Sequence, residues 1–386
     1  PFERAVALFG EVVRIGAAVG ADLVLIETMS DSYESKAAVL AAKENCGLPV
    51  LITNVYDGSG KLLTGGNVDS TVAMLEGLRV DGLGVNCGLG PEQMLPIVER
   101  LTQTASVPIL VNPNAGLPRA EKGRTVYDVD PEAFAAWMKK IAAMGVQAVG
   151  GCCGTTPEHI RRTVEAVRGV VPFRPNTQKH RTVVSSYSRA EEIGKKPLII
   201  GERINPTGKK KFQEALRQNN IEYILEEGLR QEDSGAHILD VNVGLPEIDE
   251  PQMMERVVTR LQSILALPLQ IDTSDPAAME RGMRLYNGKP LVNSDITVGE
   301  DGFAPGDGAI YDVIGSQTTV GTSLNRFSYV LSDGTDPSNY DITVEYGQLN
   351  VINRDARYIL TMTPASAEYL YDGNEKSVEG FVSTAT

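Results

Sequence analysis

Residues 147–160 read QAVGGCCGTTPEHI, a pattern that indicates the fold class of the chain. Its apolar beginning predicts a short buried strand, and Thr156, Pro157 and Glu158 predict the start of a helix. A strand followed directly by a helix is one βα unit. Two adjacent cysteines, preceded by a glycine pair and followed by a single glycine, separate the strand from the helix, at the position where βα units carry their functional residues.

The same βα pattern recurs from Ala21 to Ala166, which predicts an α/β fold with a parallel sheet. Five units are too few to close an eight-stranded (βα)8 barrel of the TIM type, so we expect about three further units upstream. We therefore predict an incomplete barrel over residues 1–172, truncated at its N-terminus. Its strands are expected at Asp22–Glu27, Pro49–Val55, Gly82–Cys87, Pro108–Asn112 and Gln147–Cys152.

Residues 173–196 lose this periodicity and are rich in Pro, Ser, Thr, Lys and Arg, which indicates a linker. A second βα series over residues 197–295 predicts another incomplete TIM-type barrel, which stops after four units. Its expected strands are 198–204, 237–243, 268–272 and 290–293, and its expected helices run from about 211 to 234 and from 250 to 265.

Residues 297–386 have a different composition, dominated by Gly, Asp, Ser, Thr and Tyr, and short alternating segments such as 340–344 and 358–362 predict a small all-β, sandwich-like domain. Within residues 301–386 four Lys or Arg face twelve Asp or Glu, a net charge of −8. The motifs at 315–322, 339–344 and 371–375 resemble tandem β-rich repeats of bacterial cell-surface proteins.

Composition excludes two classes of partner. The net charge of −14 argues against nucleic acid, which binds clustered Lys and Arg. No apolar run reaches the roughly 18 residues of a membrane-spanning helix, so no membrane insertion is expected. All four cysteines lie at or before Cys153 and no basic-then-apolar leader precedes them, which indicates reduced thiols and a cytoplasmic location.

Three of these cysteines, Cys87, Cys152 and Cys153, lie at carboxyl ends of predicted strands, so the barrel can bring them together. Three thiolates leave one tetrahedral position of Zn²⁺ open, as in catalytic zinc sites. That position suits a substrate thiol, whose nucleophilic thiolate form zinc would stabilise. The alternative is that they are buried apolar cysteines, which are common. Cys46 ends a predicted helix and is interpreted as a packing residue.

The motifs Gly84-Val85-Asn86-Cys87, Pro113-Asn114-Ala115-Gly116 and 150–156 resemble the homocysteine-binding domain of cobalamin-dependent methionine synthases. The resemblance covers residues 1 to about 170. It implies zinc on the three cysteines, and homocysteine held by its amino and carboxylate groups near Glu27 and Asn114. From the residues alone, Glu27 could equally be a solvated strand end and Asn114 a turn residue.

Polar residues also end the strands of the second series. Asp accepts hydrogen bonds from N–H groups and Asn both donates and accepts them, so together they can bind the amide-like edge of a pterin. Each of them could instead be a helix cap or turn former. Residues 197 to about 295 resemble the pterin-binding domain of the same synthases, which implies that pterin is bound by Asp272 and Asn293, with Asn205, Asp240 and Asn242 nearby.

The combined resemblance implies methyl transfer from 5-methyltetrahydrofolate through cobalamin to homocysteine, giving methionine. The chain lacks the Asp-x-His-x-x-Gly motif of cobalamin binding, so a cobalamin-carrying domain or protein outside this sequence is expected. Three alternatives stay open: a corrinoid-free homocysteine methyltransferase, a non-catalytic cell-surface repeat protein, and a chimeric gene product.

Overall fold

The computed structural model describes residues 2–121, 123–171, 181–293, 309–313, 321–332, 335, 337, 347–351, 360–364 and 381–385. The chain forms two compact units, Pro1–Ser294 and Asp295–Thr386. Among the helices of the described residues, none combines the length and the apolar character needed to cross a bilayer.

The first part of the larger unit alternates strands and helices as expected. Its helix starts follow from local chemistry: Asp31 and Asp130 accept hydrogen bonds from the first backbone N–H groups of the helices that they precede. The elements, in chain order, are α1 Phe2–Ala18, β1 Val24–Met29, α2 Ser32–Asn45, β2 Val50–Asn54, α3 Val68–Gly77, β3 Gly82–Asn86, α4 Leu95–Thr104, β4 Ile109–Asn112, β5 Arg119–Glu121, β6 Arg124–Val126, α5 Pro131–Ala143, β7 Ala148–Val149 and α6 Pro157–Val167.

Five of these strands form one parallel sheet in the order β1-β2-β3-β4-β7. Ile52, Leu83 and Val111 from its central strands are buried in one apolar core with helix residues such as Phe134. Gly84 is required in β3, because a Cβ atom there would lie 1.8 Å from the carbonyl oxygen of Leu110. Within the described residues the sheet is open and does not close into a barrel.

The predicted linker contains an ordered hairpin, formed by β8 Thr182–Ser185 and β9 Ala190–Ile193. Ser185 is fully buried, and its backbone N–H donates to the carbonyl of Lys289 over 2.8 Å. Asn67 Nδ2 donates to the carbonyl of Ser188 over 3.0 Å on the other side. The described part of this connector is therefore a packed element between the two βα series. Residues 172–180 lie outside the described residues.

The second series forms a four-stranded parallel sheet in the order β10-β11-β12-β13, which is also open within the described residues. The single helix predicted from about Lys211 to Ser234 is wrong. Two helices replace it, because Asn219 adopts a left-handed conformation (φ 53°) and Asn220 caps the second helix through Tyr223 N. The elements are β10 Ile200–Ile204, α7 Lys210–Arg217, α8 Ile221–Asp233, β11 Ile238–Val241, α9 Glu250–Leu261, β12 Leu269–Asp272, α10 Pro276–Leu285 and β13 Leu291–Asn293.

In the smaller unit, all described regular elements are strands that pair antiparallel, in three two-stranded sheets. The predicted segment 340–344 lies outside the described residues, and of 358–362 only residues 360–362 are described. The strands are β14 Ala309–Val313, β15 Gly321–Asn325, β16 Phe327–Leu331, β17 Gly347–Val351, β18 Leu360–Pro364 and β19 Phe381–Ala385, and the pairs are β14 with β16, β15 with β17 and β18 with β19.

Candidate metal centre and a second polar strand edge

Cys87, Cys152 and Cys153 converge at the carboxyl edge of the first sheet. The Sγ atoms of Cys87 and Cys153 lie 3.7 Å apart, and those of Cys152 and Cys153 lie 3.9 Å apart. All three sulfurs fall within 4.8 Å of one another. Cys87 and Cys152 are half-buried and Cys153 is exposed, so one side of the cluster is open to solvent.

The backbone at this cluster is strained in two places. Cys87 and Thr28 have φ values of 58° and 63°, in the left-handed region that residues other than Gly, Asn and Asp rarely adopt. The neighbouring Gly88 continues the left-handed turn with φ 72°. Hydrogen bonds hold the turn, since Cys87 N–H donates to the carbonyl of Asn112 over 3.0 Å. The strain indicates that this edge is built for a purpose other than stability.

Two buried asparagines lie against the cysteines and hold them in position. Asn86 is 1% exposed, and its Nδ2 donates to Thr28 Oγ1 over 2.7 Å and lies 4.0 Å from Cys152 Sγ. Asn114 is also buried, and its Oδ1 accepts a hydrogen bond from the backbone N–H of Cys153 over 3.0 Å. The thiols therefore sit on a frame whose side-chain amides are already bonded.

The environment of the cluster opposes ionisation of Cys152. Partial burial and the adjacent Cys87 raise the pKa of Cys152 to about 12. Burial and the neighbouring thiols, Cys153 first among them, also raise the pKa of the Tyr127 phenol. A divalent cation among the sulfurs would reverse this effect, because it favours thiolates strongly.

The donor set fits zinc. In a tetrahedral site with Zn–S bonds of about 2.3 Å, neighbouring sulfurs lie about 3.8 Å apart, close to the two distances of 3.7 and 3.9 Å here. The three thiols are the only cluster of potential metal ligands found among the described residues. Three sulfur ligands and an open side are the arrangement of a zinc site that accepts a further ligand.

The two residues predicted to bind homocysteine both lie at this edge. Glu27 is an exposed residue of β1, next to Thr28, whose backbone N–H donates to Asn86 Oδ1. Asn114 is nearer to the thiols, but its side-chain oxygen is engaged by Cys153 N. A role of either residue in substrate binding stays a prediction. Cys46 is apart from the cluster, at the end of α2, where its thiol donates to the carbonyl of Ala42.

The predicted pterin site also collects at one edge. Asn205 and Asn242 follow β10 and β11 directly, while Asp272 and Asn293 end β12 and β13 and are paired in register. Because these strands are parallel, their carboxyl ends share one side of the sheet. Asn242 Nδ2 donates to Asp272 Oδ2 over 3.1 Å, so the two side chains are in contact.

Asp240 lies deeper in the same sheet, in β11, and is 3% exposed. Its Oδ1 accepts a hydrogen bond from Gln270 Nε2. Burial, with the charges of Asp272 and Glu202 also contributing, raises the pKa of Asp240 to about 6. Asn205 is turned to its own loop, where its Oδ1 accepts from Thr207 N over 2.8 Å. Asn293 is exposed at the sheet edge.

Three residues beside the thiol cluster were not predicted from the sequence: Thr28, Asn86 and Tyr127. Asn86 precedes Cys87 in a motif that was noted only for its cysteine. Tyr127 follows a hairpin, β5–β6, that interrupts the expected βα pattern, so no periodic signal pointed to it. Gln270, the hydrogen-bond partner of Asp240, was not predicted either, because its position in β12 is like that of any strand residue.

Comparison with known proteins finds two matching families. Residues 1–167 match the family described as Homocysteine S-methyltransferase, and residues 201–318 match the family described as Pterin binding enzyme. The second match runs past residue 295, where the pterin-binding segment was expected to end. The first segment is therefore similar to homocysteine methyltransferases and the second to pterin-binding enzymes.

Methionine synthases are similar to both segments together. That of Mycobacterium leprae (strain TN) is 35% identical over 287 residues, and that of Mycobacterium tuberculosis (strain ATCC 25618 / H37Rv) is 34% identical over 284 residues. In both comparisons the aligned part covers 71% of this chain and 24% of the relative. The chain therefore spans about a quarter of the length of these relatives. The apo crystal structure of the homocysteine methyltransferase MmuM from Escherichia coli is 24% identical, with 42% of this chain and 57% of that chain covered and a TM-score of 0.33.

Proposed function

We propose that this chain is the homocysteine- and folate-binding part of a cobalamin-dependent methionine synthase, because it matches both families and is 35% identical to a methionine synthase over 287 residues. The observation that carries the proposal is the cluster of three thiols within 4.8 Å, which lies in the segment that matches homocysteine S-methyltransferases. The reaction is methyl transfer to the sulfur of homocysteine, which gives methionine.

Cys87, Cys152 and Cys153 would bind Zn²⁺ through their thiolates, with Asn86 and Asn114 orienting them. Zinc supplies a Lewis acid that lowers the pKa of a substrate thiol from its usual value of about 8.5. The open side of the cluster admits the substrate thiol. The carboxylate of Glu27, exposed at the same edge, would pair with the ammonium group of homocysteine and hold its sulfur toward the cysteines.

The second edge would bind the pterin ring of 5-methyltetrahydrofolate. Asp272 accepts hydrogen bonds from pterin N–H groups, and Asn293 and Asn205 offer both donors and acceptors beside it. Asn242 orients Asp272 by donating a hydrogen bond to it. Asp240 and Gln270, which are hydrogen-bonded to each other, would stabilise the sheet beneath the pterin. The corrinoid that carries the methyl group between the two substrates would come from a domain or protein beyond this sequence.

We propose further that residues 1–172 and 197–295 are portions of two TIM-type barrels joined through residues 173–196, and that they work in the cytoplasm, where thiols stay reduced. The open sheets β1-β2-β3-β4-β7 and β10-β11-β12-β13 support this reading, since parallel strands with helical connections build such barrels. A likeness of residues 297–386 to cell-surface repeats stays a prediction, as does a chimeric origin.

The test uses the full chain, purified under reducing conditions. We expect about one zinc per chain, and methylation of homocysteine with methylcobalamin as the donor. Cys153→Ser should lose the metal and the activity, whereas Cys46→Ser, a matched change outside the cluster, should keep both. Methylation with S-methylmethionine alone would replace the proposal by a corrinoid-free homocysteine methyltransferase. A wild-type chain that binds neither zinc nor homocysteine would refute it.

The folate half has its own test. Asp272→Asn should weaken binding of 5-methyltetrahydrofolate about tenfold or more, because a charge-assisted hydrogen bond contributes about 1.5–3 kcal/mol. Asp249→Asn, a change at the cap of α9, serves as the control and should leave binding unchanged. Equal affinity of wild type and Asp272→Asn in equilibrium titration would exclude Asp272 from the site.

A further inference from the structure

Tyr127 lies beside the thiol cluster although nothing in the cysteine motifs points to it. It follows β6, and the chain around it is fixed to the metal centre. Val129 N–H donates to the carbonyl of Ala115 over 3.0 Å, and His159 Nε2 lies 3.0 Å from the carbonyl oxygen of Val129. His159 belongs to α6, the helix that follows the paired cysteines. Strand β6 before Tyr127 and the hydrogen bonds of Val129 after it therefore fix the position of Tyr127.

The tyrosine ring rests directly on the backbone of Gly154, the residue after Cys153. A Cβ atom on Gly154 would lie 2.3 to 2.7 Å from three carbon atoms of Tyr127, closer than any side chain tolerates. Gly154 also has a φ of 79°, which favours glycine. The structure therefore keeps position 154 free of a side chain, and the ring of Tyr127 occupies the space.

The phenol interacts electrostatically with all three thiols, most strongly with Cys153. Three thiolates on a divalent cation carry a net charge of −1, and a fourth thiolate from the substrate would make it −2. Such a charge needs hydrogen-bond donors nearby. Asn86 Nδ2 lies 4.0 Å from Cys152, whereas Cys153 is exposed on the open side of the cluster. Tyr127 has the donor that this side requires.

We propose that Tyr127 is a positioning residue of the thiol-activating site. Its phenol donates a hydrogen bond to sulfur on the open, Cys153 side of the cluster, and its ring borders the position at which the substrate thiol binds. This inference rests on the proposed function and extends it. The O–H group stabilises negative charge that grows when the substrate thiol ionises. The ring, fixed on Gly154, limits the directions from which a thiol can approach.

The test replaces zinc by Co²⁺ in the full chain, because cobalt–thiolate charge-transfer absorption reports directly on the sulfurs. Tyr127→Phe retains the ring and removes only the donor. We expect it to bind cobalt with the same stoichiometry as wild type, to shift the charge-transfer band to lower energy, and to bind homocysteine about tenfold more weakly, the effect of one charge-assisted hydrogen bond. The pH at which homocysteine binding reaches half of its maximum should rise.

Tyr33→Phe is the matched control, because Tyr33 lies in α2 and its ring stacks on Phe2 of α1, not on the thiol cluster. It should leave the cobalt spectrum and the binding unchanged. If Tyr127→Phe has the spectrum and the pH profile of wild type, the proposal is overturned while the proposed function stands. If wild type binds cobalt but not homocysteine, the proposed function fails and the spectrum alone decides on Tyr127. A chain without cobalt binding would refute both.

Discussion

Replacing Lys36 by methionine should remove a stability gain that the wild-type chain acquires as the pH rises. Lys36 belongs to α2 and is only 3% exposed. Its Nζ donates to the carbonyl oxygens of Met283 and Tyr286, over 2.7 and 2.5 Å, at the carboxyl end of α10. A lysine of the first βα series therefore caps a helix of the second.

The sign of the effect follows from the pKa of Lys36. Burial, and secondly the nearby Arg284 guanidinium, lowers this pKa from 10.5 to about 7. The carboxylates of Glu3 and Glu44 face Arg284 and hold it in place. Because the folded pKa is below the unfolded one, the unfolded chain binds more protons between pH 7 and 10.5, and stability rises with pH in this window.

The magnitude has two parts. Each pH unit within the window adds at most about 1.4 kcal/mol, and the two carbonyl acceptors favour the charged amine, so we expect a gain of about 1–3 kcal/mol from pH 7 to pH 9.5. Methionine lacks this gain and leaves two buried carbonyls without their donor, at about 1–3 kcal/mol each. The deficit of Lys36→Met should therefore widen as the pH rises.

Urea unfolding of the full chain measures this deficit, with the fluorescence of the single tryptophan, Trp137, as the probe. Lys43→Met is the control, since Lys43 lies on the same helix but forms only a partly exposed ion pair with Asp81. Its deficit should be small and should not widen. A Lys36→Met deficit that is the same at pH 7 and pH 9.5 would show that the buried amine does not titrate in this range, and the reasoning would be wrong.

Three further predictions concern stability, each measured by the same unfolding assay. Gly84→Ala should abolish the cooperative urea transition, because its Cβ would lie 1.8 Å from a carbonyl oxygen, whereas Gly58→Ala, with open space around it, should keep the wild-type transition. Asp240→Asn should stabilise the chain by about 1–3 kcal/mol above pH 6 and lose this advantage below about pH 4, because burial raises the pKa of that carboxyl to about 6 and its charge therefore destabilises the fold above this value. Arg79→Gly should stabilise by up to about 1 kcal/mol, since Arg79 has a φ of 57° just after α3, and an unchanged midpoint would contradict this.

The positions of the strands could be predicted because apolar runs and turn residues mark them locally. Strand β4, expected at Pro108–Asn112, is Ile109–Asn112, and β12, expected at Pro268–Asp272, is Leu269–Asp272. The convergence of Cys87 with Cys152 and Cys153 also followed from the sequence, because parallel strands bring their carboxyl ends to one edge. Both inferences need only the period of the pattern and the direction of the strands.

Contacts between distant segments left no such signal. Because segment 173–196 is polar and aperiodic, the sequence predicts a linker, yet Ser185 is fully buried and its backbone carbonyl accepts a hydrogen bond from the Tyr286 hydroxyl over 2.9 Å. A serine looks the same in sequence whether it faces water or a buried phenol. The break between α7 and α8 was missed for a related reason, since Asn219 and Asn220 are compatible with an exposed helix and reveal themselves only by their backbone angles.

The thiol cluster likewise has residues that a sequence motif identifies and residues that only tertiary packing brings to the site. Its three cysteines are recognisable because cysteine is rare and because a zinc site of the proposed kind needs a defined number of sulfurs at defined distances. The residues that would tune these ligands are common ones placed by tertiary contacts: Asn86 through its bond to Thr28, and Tyr127 through its contact with Gly154. Identical cysteine spacing with different neighbours would bind the metal but ionise a substrate thiol differently. Differences in activity among proteins with this motif should therefore be sought first at the positions of Asn86 and Tyr127, and only then at the cysteines.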